Sequence, residues 1–450
     1  MGAVRVAALA IAIAVTGCAL TPDYERPPIE VPDGWRQPAD AGMSFANLAW
    51  WDLFDDPVLR SLIEASLEGN KDRLAALARI QQSRELVTAT RANQFPFIDL
   101  FGGAGRGRQS QIVVPGSGTR DNYSASADLF FEIDLWRKLA RSTEASRADL
   151  LRTEAAYRSV TITLVSDVAT TYFLLRDQDA SLEISQHTVE SRQNSLDIIR
   201  ARFEKGIVAE LDVNQAEIEL AIADAAVALF ERQVAQTENA LRVLLGRNPG
   251  PVERGAALDQ QTLPPEIPPG LPSELFQRRP DVVAAEQVLA AETARIGVAE
   301  ALRYPSISLT GSFGAISDEL SDINTNEAKA WNLMAGVFAP LWNSGQLKAQ
   351  AEAQRAVTEQ ALRVYEFALI QAFREVEDAL VAVRTFRVEH QARVRQMLAA
   401  RNAARLSRAR YDGGVVDYLE VLDTERSLFG SELDASATRQ QSLSAVVQLY

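Results

Sequence analysis

Arg202-Phe203-Glu204-Lys205-Gly206 and Arg410-Tyr411-Asp412-Gly413-Gly414 are one phrase written twice, 208 residues apart. The first leads into Val208, Leu211, Val213 and Glu217, the second into Val416, Leu419, Val421 and Glu425 at the same spacing. A helical face repeats at that offset. Tyr157, Val160, Leu164, Val168, Thr171 and Leu175 map onto Tyr365, Ala368, Ala372, Val376, Ala379 and Val383. Both sets alternate steps of three and four, as a coiled-coil seam does. Phe95-Pro96 corresponds to Tyr304-Pro305, and Leu135-Trp136 to Leu341-Trp342, at nearly the same offset. The 450-residue chain is a tandem duplication.

Each half reads as a short helix, a β-hairpin and two long helices. The first repeat, 49–247, has a helix from Pro57 to about Asn93, a hairpin over 97–133, and helices over 137–205 and 208–246. The second, 280–450, has a helix, a hairpin over 305–341, and helices over 346–411 and 415–449. A connector over 248–279, containing Pro264-Pro265 and Pro268-Pro269, cannot be a continuous helix. The segments after the two hairpins lack proline for about sixty residues, so each helix would be roughly 100 Å long. Gly206 and Gly413-Gly414 then turn the chain back.

The hairpins alternate. Tyr123, Ala125, Ala127, Leu129 and Phe131 share one face against Ser124, Ser126, Asp128 and Glu132. Ile307, Leu309, Gly311, Phe313 and Ala315 do the same against Ser306, Ser308, Thr310, Ser312 and Gly314. That pattern suits a transmembrane β-barrel and equally a solvated antiparallel sheet.

The N-terminus argues for a membrane. Arg5 precedes the apolar run Val6–Val15, too short to span a bilayer as a helix and suited to a signal peptide over 1–17. The run closes on Val15-Thr16-Gly17-Cys18, which resembles the lipobox of bacterial lipoproteins and predicts a lipid on Cys18, the chain's one cysteine. Ala19 follows; lipoproteins without Asp there generally go to the outer membrane. The proline-rich stretch 18–48 reads as an extended tether. Any span of the membrane by the rest of the chain must be a barrel.

Composition excludes several classes. A net charge of −14 argues against nucleic acid. His187 and His390 stand alone on long helices, without metal-ligand spacing. The run Gly102–Gly107 is neither GxGxxG nor a Walker motif. No enzyme, no metal and no cofactor beyond the lipid on Cys18 are expected.

Arg278-Arg279-Pro280-Asp281-Val282, Ala285-Glu286, Ile296-Gly297-Val298-Ala299 and Pro305-Ser306-Ile307-Ser308-Leu309 together resemble the outer-membrane factor lipoproteins of resistance-nodulation-division efflux systems, the TolC/OprM family, nearest its nodulation-type branch. Trp50-Trp51, Phe54, Asp56-Pro57, Glu132-Ile133-Asp134-Leu135 and Leu244-Leu245-Gly246 belong to the same pattern. The resemblance implies an α+β membrane protein of TolC-like fold in the outer membrane. Four strands per chain would contribute to a barrel of a homotrimer, twelve strands in all, above a long coiled-coil periplasmic barrel. Strand number alone leaves eight and twelve open. It further implies a passive exit duct working with a periplasmic adaptor (membrane fusion protein) and an inner-membrane pump, and a chain that continues past Tyr450.

By the same resemblance, Leu419, Glu420 and Asp423 match a periplasmic gate, and Asp212 and Tyr411 a latch between neighbouring coils. Val416 stands where some relatives carry a basic residue in that latch. Phe95, Phe131, Trp136, Tyr304, Phe338 and Trp342 sit at strand–helix joins, as interface aromatics or as core packing where sheet meets coil. A type I protein-secretion duct and a pore-less periplasmic coiled-coil scaffold are the rival functions.

Overall fold

The computed structural model describes residues 23–28, 30, 32, 34–36, 54–262 and 278–449. The signal peptide, Cys18, most of the tether, Trp50-Trp51, the middle of the connector and Tyr450 lie outside the described residues.

The elements follow in the order α1 (Pro57–Gly69), α2 (Lys71–Ala92), β1 (Phe97–Arg108), β2 (Thr119–Ile133), α3 (Lys138–Glu204), α4 (Glu210–Leu244), α5 (Pro280–Ala301), β3 (Ser306–Ser317), β4 (Lys329–Phe338), α6 (Gln346–Asp412) and α7 (Tyr418–Leu449). The duplication is visible in their ends. α3 and α6 both have 67 residues, and Lys138 with Gln346, Glu204 with Asp412, and Glu210 with Tyr418 all stand 208 apart.

Several boundaries differ from the sequence expectation. The helix expected from Pro57 to Asn93 is two, broken at Asn70. Its Oδ1 accepts from the Arg73 amide at 2.9 Å while its Nδ2 donates to the Leu244 carbonyl at 3.0 Å. A side chain that caps α2 and ties off α4 holds the chain in an extended turn. Helix 137–205 begins one residue later, because Arg137 has φ 60° and the Asp134 carboxylate caps Leu139 and Ala140 at 3.0 and 2.8 Å. Helix 208–246 is shorter, running Glu210–Leu244 behind an extended Ala209. Helix 415–449 starts at Tyr418, where Asp417 Oδ1 accepts the Glu420 amide at 3.3 Å. The hairpin expected over 305–341 ends at Phe338, just before Pro340, which lacks a ladder donor.

The chain divides into two units. One holds residues 78–156 and 280–368 with the segment 23–28. It contains the sheet, with strand order β1-β2-β3-β4 and every pair antiparallel. The second repeat's hairpin therefore joins the first repeat's through β2 and β3. In the same unit the segment 23–28 lies across helices. Arg26 grips the buried Glu286 carboxylate with two hydrogen bonds of 2.7 and 2.8 Å, and Asp23 pairs with the buried Arg141 at 2.8 Å.

The other unit holds residues 54–77, 157–262 and 369–449. Its core gathers Leu59, Ile63, Val168, Tyr172, Phe173, Leu175, Leu241, Leu245 and Leu443. Buried Asp56 caps α1 through Val58 and Leu59 (2.9 and 3.2 Å) and accepts from Tyr172 Oη (2.7 Å) and Gln261 Nε2 (2.6 Å). Every lone pair of a buried carboxylate is thus used. Tyr172 is pushed well above the ordinary phenol range, by burial first and then by this carboxylate. No helix among the described residues is long and apolar enough to cross a membrane.

Candidate functional site

The sheet is the first candidate wall. Directly paired residues in an antiparallel ladder share a face, so the register sorts the four strands into two surfaces. Ile98 pairs with Leu129, Leu129 with Gly311 and Gly311 with Leu333, and the same face carries Leu100, Phe131, Leu309, Phe313, Trp331 and Val337. The opposite face carries Asp99, Gly103, Ser124, Ser126, Asp128, Ser308, Thr310, Ser312 and Asn332. One side is a continuous apolar band; the other is mixed, its serines, glycines and acids interspersed with Phe97, Phe101, Phe130, Ile316, Met334 and Phe338. β1 is exposed at all but one position and β4 throughout. Leu100 is 88% exposed, so nothing among the described residues covers the band there. A filled, water-soluble sheet would bury it. From Ile133 to Tyr123 the apolar side of β2 spans eleven residues, ten steps along the strand. That is about 34 Å of strand, or about 26 Å of height at a tilt near 40°.

At the strand–helix joins, Trp136 and Tyr304 stack with ring centroids 5.0 Å apart, and Trp136 Nε1 donates to the Pro305 carbonyl at 2.7 Å. This pair packs where sheet meets helix, with Phe131 half-buried nearby in sequence. Phe95, Phe338 and Trp342 project into the surroundings.

The helix turns are the second candidate. Gly206 (φ 69°) and Gly414 (φ 71°) end α3 and α6 alike. Ile207 and Val415 donate to Arg202 and Arg410 carbonyls at 2.9 Å, while Gly206 and Gly414 donate to Phe203 and Tyr411 at 2.8 and 2.9 Å. These paired bonds close the last turn and need a left-handed residue. Leu196, Ile199, Ala216, Tyr411, Tyr418, Val421 and Leu422 pack beneath the turns.

On this platform Leu419 and Asp423 are exposed, four residues apart on one side of α7, while Glu420 is drawn to Arg410 at 2.9 Å. Glu420 is the repeat counterpart of Asp212, 208 residues on. Asp212 and Tyr411 are not brought into a hydrogen bond within one chain. The Tyr411 hydroxyl is buried without a hydrogen-bond partner, its ring 5.5 Å from Tyr418 and beneath the Arg202 guanidinium at 4.8 Å.

Sequence reasoning missed the polar core beside these turns. Arg192 and Glu219 pair at 3.1 Å, and Arg426 joins Glu219 at 2.5 Å. Arg408 reaches Ser195 Oγ at 2.8 Å and Glu425 at 3.6 Å. Burial pushes the Glu425 carboxyl up and the Tyr418 phenol up to about 12, and pulls the Arg192 guanidinium down. One signal was available. Arg200–Glu217 in the first repeat and Arg408–Glu425 in the second are the same ion pair at the repeat offset. Among the described residues no cluster could hold a metal ion.

The model of a family described as outer membrane efflux protein matches residues 62–247 and 271–450. The toluene efflux pump outer membrane protein TtgF of Pseudomonas putida is 33% identical over 98% of this chain and 95% of its own length. The cation efflux system protein CusC of Escherichia coli is 32% identical over 96% and 94%. Among solved structures, the open-state outer membrane channel MtrE of Neisseria gonorrhoeae superposes with a TM-score of 0.87 at 29% identity, covering 96% of this chain and 97% of that one. A membrane protein from Pseudomonas aeruginosa superposes at 0.87 and 32% identity, covering 96% and 99%.

Proposed function

This chain belongs to the outer membrane efflux protein family and is an efflux channel of the outer membrane with the TolC-like fold, not an enzyme; from that premise we propose that it works as a homotrimeric exit duct, lipid-anchored at Cys18, passing small solutes delivered by a periplasmic adaptor and an inner-membrane pump. The observation that carries the proposal is the sheet: among the described residues it has one uncovered apolar face and two unpaired edges. With four antiparallel strands, β1 and β4 run in opposite directions. β4 of one copy can therefore pair antiparallel with β1 of the next, a head-to-tail contact that closes a ring. Three copies make twelve strands, with the apolar band toward lipid and the serine- and glycine-rich face toward the lumen. Val364, Phe367 and Ile370, exposed on α6, supply apolar surface for the contact between copies.

The turns then carry the gate. Three copies of Leu419 would form an apolar constriction beside a ring of Asp423, with Glu420 held by Arg410 next to it, and a carboxylate ring favours cations. The unsatisfied Tyr411 hydroxyl is the reason to expect Asp212 of a neighbouring copy as its partner when the gate is shut. The names of relatives that export toluene and cations support small solutes over proteins.

Heat-resistant trimers on gels and single-channel currents in planar bilayers test the duct. A protein that stays monomeric and carries no current overturns it. For the gate, alanine at Asp212, Tyr411 and Asp423 together should raise the closed-state current; an unchanged current removes these residues from that role.

A further inference from the structure

At the loop end of the sheet, the membrane-facing side changes from apolar to basic. On β1 the face that carries Ile98, Leu100, Gly102 and Ala104 continues into Arg106 and Arg108. On β4 the same face runs from Val337 through Trp331 and ends at Lys329, opposite Ala315. Between Ile133 and Tyr123 on β2 this face holds no charge at all. On β1 the cations begin just past the level of Tyr123, where the apolar span of β2 ends, and Lys329 closes β4 at the level of Ala125.

We propose that Arg106, Arg108 and Lys329 form a docking site for the phosphate groups of lipid in the outer leaflet. The inference rests on the reading that the strands cross the outer membrane with the loops 109–118 and 318–328 facing outward. Three cations share one carboxylate on that face. Arg106 Nε lies 3.5 Å from Asp121, with its side chain 74% exposed. Lys329 Nζ donates to the neutral Asn326 side chain at 2.7 Å. Arg108 is exposed and joins no ion pair among the described residues. The adjoining loop, Gln109–Gly118, has neither acid nor base, so it adds no anion to Asp121. Guanidinium forks match phosphate oxygens bidentately and remain charged at any working pH. Tyr123 and Trp331 lie one step inward on the same face, at the level where amphipathic rings mark an interface. In a closed ring β1 of one copy meets β4 of the next, which brings Lys329 to the side of Arg106 and Arg108.

The test uses the full-length channel reconstituted in phosphatidylcholine vesicles containing either bisphosphorylated lipid A or its dephosphorylated form. The channel is re-extracted in mild detergent, and retained glycolipid is counted by mass spectrometry. Wild type should retain the phosphorylated form selectively. R106A/R108A should lose roughly fivefold for each arginine removed, and R106K/R108K should recover most of the binding. R120A is the control, since Arg120 pairs opposite Gly107 on the other, polar face; it should match wild type. Equal retention by R106A/R108A, an equal loss in R120A, or equal binding of dephosphorylated lipid overturns the proposal. The loop acids Asp318, Glu319, Asp322 and Glu327 of a neighbouring copy are the competing partners. A lower melting temperature of R106A/R108A in lipid-free detergent, with retention unchanged, assigns the arginines to them and overturns the lipid site. Currents from wild type in pure phosphatidylcholine report separately on the channel reading.

Discussion

Arg192 and Glu219 form an ion pair in which each side chain is only 4% exposed, with charged atoms 3.1 Å apart. Arg192 also donates to the Glu219 backbone carbonyl at 2.5 Å and lies 5.2 Å from the Phe429 ring centroid. α3, α4 and α7 are thereby joined by one charged cluster. A buried charge is tolerable only while its partner remains. E219A should therefore cost about 3 to 5 kcal/mol of stability, and a paired apolar replacement, R192M/E219L, much less. Thermal or denaturant unfolding of the purified protein reads the difference; equal losses would show that the charges are not sealed from water.

Glu425 gives stability a pH dependence of definite sign. Its folded pKa lies above the ordinary carboxylate value because burial disfavours the ionised form. The native state therefore binds more protons than the unfolded state between those two values, and this group's contribution improves as pH falls through its folded pKa. E425Q should stabilise the protein at about pH 7, with the advantage shrinking towards about pH 5. Melting temperatures of both proteins across that range check it; an advantage that grows on acidification contradicts the assignment.

Gly246 and Gly206 have nearly the same φ, 68° and 69°, in different surroundings. A Cβ on Gly246 would overlap the Gly69 carbonyl, whereas one on Gly206 would meet open space. G206A should then cost about 1 to 2 kcal/mol, the penalty of a left-handed conformation alone. G246A should prevent folding or lower stability well beyond that. Expression and unfolding of the two variants, compared side by side, decide it.

Tyr172 mediates between Asp56 and the backbone, donating to the carboxylate while accepting the Gly255 amide at 3.0 Å. Y172F keeps the ring and strands both partners in a dry core, at a cost of about 1 to 3 kcal/mol. Hydrogen exchange at the Gly255 amide should accelerate in the same variant. Unchanged exchange would show that the amide finds water instead.

Much of the fold was legible because its signals are periodic. The 208-residue offset, the alternation of Tyr123 to Phe131 and Ile307 to Ala315, and the glycines at 206 and 414 each follow from one-dimensional spacing. Helix ends were less legible. The break at Asn70 depends on the Leu244 carbonyl, 174 residues away, and no local propensity announces such a partner. The gate candidates are legible as residue types, but only packing separates Glu420, neutralised by Arg410, from Asp423, which stands exposed.

By itself the sequence determined the duplication, the strand and helix types, the alternating faces of β2 and β3 and the class of protein, because all of these are periodicities or motifs written along the chain. Tertiary structure alone decided that β2 pairs with β3, that the four apolar faces line up as one band, and that Arg408–Glu425 is shielded while its twin Arg200–Glu217 stays half exposed. Strand partners and the local dielectric depend on what lies across space from a residue. Two copies of one motif can therefore share a spacing and still differ in chemistry.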